Sequence, residues 1–309
     1  MNENIRERLA ELPLNLSSHL QLTLLALVIG VAISLPLAIL LSRRPKLRYP
    51  VLSIVGVIQT IPGLALLALM VPLLVMVNEW GVGVSAFGFL PAVMALTLYS
   101  ILPILRNTVT GIVNVDASLT EAARGVGMDD RQILLSVELP LAAPVILAGI
   151  RTAAVWTVGT ATLATPIGQT CLGNYIFAGL QTRNWLMVMF GVVSAALLAL
   201  ALDALLGGLE KAAVERRRGL AIATLSGLAL LVIGGVASPM IAEALRSPPP
   251  AATAAVQTEA EADTSRIRIG AKSFTEQYIL AAAIEKRLHA AGIDATIVDS
   301  LGSAVVFDA

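Results

Sequence analysis

Charge is scarce in this sequence. Only 14% of its 309 residues are Asp, Glu, Lys or Arg, against 57% hydrophobic. A water-soluble surface needs roughly 25% charged residues. The deficit, with a mean hydropathy of +0.83, excludes an ordinary soluble domain and indicates a membrane protein. The 21 basic and 21 acidic residues cancel, so no excess of positive charge suggests a nucleic-acid partner. A single cysteine, Cys171, excludes an internal disulfide and any CxxC metal site. The two histidines, His19 and His289, share no ligand spacing with other residues. No GxxxxGK[ST] phosphate loop occurs. The opening NENIRERLAELPLN is charged and lacks a short apolar run before a small-residue cleavage site. No cleavable signal peptide is therefore expected.

Long apolar runs are what the sequence does have. A spanning helix needs about 20 mostly apolar residues. Six stretches qualify, at 20–41, 49–77, 89–105, 145–167, 185–206 and 220–241. The second carries Gln59-Thr60-Ile61-Pro62-Gly63 in its middle. Proline lacks a donor and clashes with the preceding turn, so one broken helix is expected there. Arg43, Arg44, Lys46 and Arg48 follow the first span. Positive charge marks cytoplasmic loops, which places this loop, the 107–138 segment and the Lys211–Arg218 segment inside, and both ends of the chain outside. Trp80 and Trp185 then fall at the outer interface. Arg106, Arg151 and Asp203 lie in or beside spans near their inner ends. Snorkelling or local pairing accounts for them; a gating ion pair between helices is the sharper alternative. Gln59, Thr60, Tyr99, Ser100, Thr160 and Thr162 are polar groups within apolar runs. They face either a translocation path or interior hydrogen bonds between helices.

The stretch NTVTGIVNVDASLTEAARGVGMDDRQILLSVE at 107–138 is the most informative. Asp116 has the position to cap a helix through Glu121-Ala122-Ala123. Gly125 or Gly127 can end it in the left-handed conformation. Asp129 or Asp130 can cap a second short helix over 131–137. Pro140 then opens the next rod, where its missing donor costs little. The expected product is two short helices joined by a glycine elbow, with small residues that let another protein approach the backbone.

EAARGVGMDDRQILLSVELP resembles the EAA loop of binding-protein-dependent ABC importer permeases. Glu121, Ala122, Ala123, Gly127, Leu139 and Pro140 match the family pattern position by position. The resemblance implies an all-α polytopic membrane protein of the type I ABC importer permease fold, with about six transmembrane helices, in the inner or plasma membrane. It implies that 121–127 is a coupling helix seated in a groove of a separate ATPase subunit. ATP and Mg would be bound by that partner, so this chain has no cofactor and is not itself the enzyme. Importers of this kind use two permease copies. One EAA loop per chain then implies a homodimer, with a paired second permease as the alternative.

VIQTIPGLALLALMVPLL, LYSILPILRNTVTGI and LPLAAPVILAGIRTAAVWTVGTATLA are similar to permeases of the osmoprotectant group. That group takes up glycine betaine, choline, carnitine and related quaternary amines. Beyond the 20–245 transmembrane domain with its 107–140 coupling loop, 246–265 is rich in Pro and Ala and reads as a linker. Residues 266–309 read as a β-α-β start, with Ser273 and Glu276 at capping-box spacing. GAKSFTEQ is similar to the opening of osmoprotectant-binding proteins, which makes this tail the incomplete start of a fused α/β substrate-binding domain. Lys272, Phe274, Thr275, Glu276 and Gln277 carry over as binding residues; helix capping and packing explain them equally. Forty-odd residues cannot bury a useful core alone, so the tail implies either a piece of a longer fused protein or a truncated gene. A substrate-binding domain or protein, the ATPase, a second permease and lipid are thus the expected partners. Another cargo such as an amino acid, or a truncated non-transporting remnant, are the alternatives. A secondary transporter is disfavoured, because no acidic residue at mid-depth and no internal repeat is evident.

Overall fold

In the computed structural model, residues 3–245, 267–270, 275–292 and 294–298 are described. They belong to two compact units, 1–240 and 241–309.

The apolar runs of the first unit fold as helices, because only internal hydrogen bonding satisfies the backbone in lipid. They are α1 (Glu3–Arg43), α2 (Pro45–Thr60), α3 (Gly63–Asn78), α4 (Phe89–Val113), α7 (Leu139–Ala161), α9 (Trp185–Glu215) and α10 (Arg218–Leu245). Between α4 and α7 lie α5 (Ala117–Gly125), α6 (Asp130–Ile133) and a π turn, Leu134–Glu138. A 3₁₀ turn (Thr162–Ile167) and α8 (Gly173–Gln181) connect α7 to α9. Among the described residues, five helices are long and apolar enough to cross a membrane, and six spans result if α2 and α3 form one broken span. Large apolar side chains point outward, among them Leu197, Leu200, Ile222, Leu230 and Ile233. A bilayer accommodates such a surface and water does not.

The expected break at 61–62 is a bend of 99° between α2 and α3. Pro62 offers no N–H, Ile61 turns to an extended ψ of 127°, and the freed Ile61 carbonyl accepts from the Tyr99 hydroxyl.

α4 is the central helix, packed on α1 and α7, and its apolar core draws on Leu22, Leu67, Leu96 and Ala164. Small residues set the crossings. A Cβ on Gly30 would lie 1.9 Å from Ser100 Oγ, and one on Gly149 would lie 2.9 Å from the Pro103 carbonyl. Close backbone approach of this kind is how membrane helices gain packing without a hydrophobic drive.

The 173–181 segment lies between the fourth and fifth apolar runs, outside any expected span. It forms α8, which folds back against α9. A polar network fixes it to α1. Asn15 donates to Tyr175 Oη (3.3 Å) and accepts from Asn174 (3.2 Å). Ser18 donates to the Thr170 carbonyl (2.8 Å) and accepts from Gln169. His19, fully buried, meets the Val158 carbonyl and the Leu172 N–H.

In the second unit, β1 (Ile267–Gly270) pairs in parallel with β2 (Ala295–Val298), Ile267 opposite Ala295. Helix α11 (Thr275–Ala290) joins them, giving the β-α-β order anticipated for this segment. The 246–265 stretch, Ser273, Lys272 and Phe274 lie outside the described residues, as do the side chains of Thr275, Glu276 and Gln277, whose backbone opens α11.

Candidate functional site

One end of the bundle carries the basic residues Arg43, Arg44, Lys46 and Arg48, and the segment between α4 and α7 emerges there. Asp116 begins that segment. Its carboxylate accepts from the Ser118 N–H at 2.9 Å, capping α5. Hydrogen bonds from the Ser118 backbone and side chain hold the Asp116 carboxyl below the usual carboxylate range. Only nine residues long, α5 is too short to stand without such help.

The chain reverses at Gly127, whose φ is +87°. The Met128 N–H reaches back to the Ala123 carbonyl at 3.1 Å, as a left-handed helix end requires. Asp129 then caps α6 through a full capping box with Gln132, at 2.7 and 2.9 Å.

Pro140 does not open a fresh rod. The backbone stays helical from Asp130 through Ile167. Its register shifts in the π turn, where the Leu139 N–H bonds to the Leu134 carbonyl five residues back. The proline is the reason. It cannot supply the next i→i−4 bond, so the helix widens by a residue immediately before it. The second short helix and the fourth span are therefore one lever.

Of the matched residues, Ala123 is buried, Leu139 half-buried, and Glu121, Ala122, Gly127 and Pro140 exposed. The exposed set includes two residues that sequence reasoning passed over, Leu119 (46% exposed) and Val126 (79%). Their signal was present, as large apolar side chains in an otherwise polar loop. Together with Ala122 they give α5 and its elbow an apolar outer surface beside Glu121.

The polar residues within the spans separate into two groups. Tyr99 reaches the α2–α3 break through Ile61, and a Cβ on Gly63 would lie 3.2 Å from Thr160 Cγ2 and 4.0 Å from Tyr99 Oη. Thr60 is exposed, and Gln59, Thr160 and Thr162 are half-buried. Ser100 is elsewhere. It is 1% exposed, packed on Gly30 between α1 and α4.

Two arginines tie spanning helices to acidic partners on other elements. Arg151 on α7 holds Asp203 on α9 with two bonds of 2.6 and 2.7 Å, and Glu210 at 3.3 Å. Arg43 at the end of α1 holds Glu138 at 3.0 and 2.5 Å. Arg106 is exposed. Among the described residues no group of three His, Cys, Asp or Glu could hold a metal.

A bent-span helical bundle with a capped, apolar-faced loop at its basic end is the frame of a polytopic membrane protein. The chain belongs to the binding-protein-dependent transport system inner membrane component family, whose model matches residues 30–219. It is thus a multi-pass inner-membrane permease that works with an ATPase and a binding protein. It is 43% identical over 193 residues to the choline transport system permease protein OpuBB of Bacillus subtilis (strain 168), 62% of this chain and 84% of that one. It is 42% identical over 206 residues to the carnitine transport permease protein OpuCB of Listeria monocytogenes, 65% and 89% respectively. The osmoprotectant import permease protein OsmW of Salmonella typhimurium is 42% identical over 192 residues, 62% and 86%. In fold, the chain is similar to the MetNI methionine ABC transporter solved in an inward-facing conformation. The TM-score is 0.59 at 24% identity, covering 69% of this chain and 99% of that one.

Proposed function

We propose that this chain is the permease of an ATP-driven importer for quaternary amines of the choline, carnitine and glycine betaine class. The observation that carries the cargo class is the 41–43% identity to permeases named for choline, carnitine and glycine betaine transport, over most of their length. The loop supports the coupling role. Leu119, Ala122 and Val126 offer apolar contact, Glu121 offers a charge for orientation, and the Asp130–Ile167 lever leads directly into the membrane.

In this reading 121–127 docks in the ATPase, and the Leu139-Pro140 segment transmits the motion. Gln59, Thr60, Tyr99, Thr160 and Thr162 line the route, with the approach of Tyr99 and Thr160 to the α2–α3 break as support. Ser100 serves helix packing instead, because it is enclosed between α1 and α4. Two copies related by a two-fold axis form the gate. The 266–309 segment is the start of a fused substrate-binding domain, with its β-α-β order as support; Lys272, Phe274, Thr275, Glu276 and Gln277 belong to its binding face.

Reconstitution with the ATPase and binding component tests this. ATP-dependent uptake of labelled choline, carnitine or glycine betaine into proteoliposomes is the expected result. Uptake of an amino acid such as methionine in preference to all three would overturn the cargo class. Absence of any uptake from an intact complex would favour a remnant.

A further inference from the structure

The docking reading leaves Glu138 without a task. It closes the π turn, and its side chain is only 6% exposed, whereas Glu121, Asp129 and Asp130 on the same loop are exposed. A carboxylate removed from water persists as an ion only when paired and hydrogen-bonded. Both its oxygens are taken by one guanidinium. Arg43 Nη1 meets Oε1 at 3.0 Å and Nη2 meets Oε2 at 2.5 Å. This two-point fork sets orientation as well as distance.

Arg43 is the last residue of α1. Leu35, Ile39 and Arg43 recur every four residues, so they share one face of that helix. Leu35 and Ile39 pack in a cluster with Ile112 of α4 and with Leu139, Ala142 and Ile146 of α7. One face of α1 therefore grips both helices that carry the loop, and the Arg43–Glu138 fork is its polar end.

The fork also sits where the lever is least regular. The π turn ends at Glu138, and Pro140 follows two residues later without a donor. Such turns are frequent at functional positions, and this one is a point where the rod can bend or slip. An external brace there decides whether a push is passed on or absorbed.

We propose that Arg43 and Glu138 are positioning residues that yoke α1 to the base of the loop. A displacement received at 117–127 then moves α1 together with α4 and α7. This rests on the docking reading above.

The test uses the complete transporter in proteoliposomes and reads cargo moved per ATP hydrolysed. Glu138→Gln and Arg43→Gln should each lower that ratio about tenfold or more, the scale of a lost coupling between sites, while the ATPase still co-purifies. The exchanged pair, Arg43→Glu with Glu138→Arg, should recover most of the ratio. A pair that only supports folding would reduce the amount of inserted permease and leave the ratio of the remainder unchanged, and that result overturns the proposal. If the single variants fail to insert, Arg43→Lys decides, because it keeps the charge and loses the fork. A lowered ratio supports the yoke, and an unchanged one overturns it. Failure of the docking reading is read separately, as ATPase retained by Gly127→Val.

Discussion

Gly127 offers a way to separate the shape of the coupling loop from the clearance around it. Its φ is +87°, and among the described residues none beyond its two chain neighbours comes within 4 Å of a Cβ built there. Any intrachain cost of substitution is therefore a backbone cost. For an L-residue in the left-handed region this is roughly 1–2 kcal/mol, and a β-branched side chain stands at the upper end. Asparagine is tolerated far better. One to two kcal/mol changes a population by about 5- to 30-fold. That is enough to open an elbow whose outer helix has only nine residues. Gly127→Val should lose both loop shape and clearance, and so abolish uptake and ATPase co-purification while the permease still inserts. Gly127→Ala should keep part of each. Gly127→Asn restores the conformation but adds bulk, so its remaining deficit measures how closely the ATPase approaches. Uptake in whole cells and pull-down of the tagged ATPase read the series. Wild-type uptake and association for all three variants would refute the assignment of this loop.

Two further expectations concern the same loop. The Asp116 cap depends on the ionised carboxylate, and its pKa is lowered in the folded chain by the Ser118 hydrogen bonds. The cap is fully present above the ordinary carboxylate range and is lost as pH falls through the lowered value. ATPase co-purification should thus show no Asp116-dependent change between about pH 5 and 8. Asp116→Asn, which also accepts the bond, should associate more than Asp116→Ala; equal loss in both would contradict the capping role. A cysteine at Arg124 should react with membrane-impermeant reagent only from the cytoplasmic side, since the basic charge follows α1 and α9 at this end. Reaction from outside would invert the topology.

Local chemistry made much of this loop legible. Asp116, Gly127 and Asp129 act within three residues of themselves, and side chains with short reach announce helix ends in the sequence. The α2–α3 break was legible for the same reason, through Pro62. The π turn was not, because Pro140 is compatible both with a new first turn and with a widened continuous helix; only the Leu139–Leu134 hydrogen bond decides. Helix α8 was missed because nine residues cannot span a bilayer and its support is remote. Asn15 and Ser18 of α1 secure it across more than 150 positions. The enclosure of Ser100 was not legible, because a polar side chain in an apolar run has no visible face until Gly30 is found opposite it. An ion pair between helices was among the readings of Arg106, Arg151 and Asp203, but which arginine meets Asp203 was not legible, nor was Arg43–Glu138 at all, since nothing local joins residues 52 or 95 positions apart.

The second of those pairs yields an ordered prediction. Arg151 serves two acids, Asp203 with both of its nitrogen–oxygen contacts short and Glu210 with one at 3.3 Å. Asp203 and Glu210 stand seven residues apart on one face of α9. Arg151→Met therefore strands two carboxylates, Asp203→Asn leaves the guanidinium with Glu210, and Glu210→Gln leaves the two-point fork intact. The damage should fall in that order. The side chains of Arg151 and Asp203 are 38% and 34% exposed. The loss for Arg151→Met should thus lie between the roughly 0–1 kcal/mol of a surface pair and the 3–5 kcal/mol of a buried one, at about 2 kcal/mol. A Cβ on Gly207 would come within 3.0 Å of the guanidinium carbon. The clash is with the far end of a flexible side chain, so Gly207→Ala should cost less than Arg151→Met. Thermal unfolding of the purified permease gives the order, and uptake gives its meaning. If Arg151 and Asp203 only hold α7 to α9, stability and uptake fall together. If they form a gate, Asp203→Asn changes uptake far more than unfolding. A Glu210→Gln variant as unstable as Arg151→Met would show that the argument from the shared guanidinium is wrong.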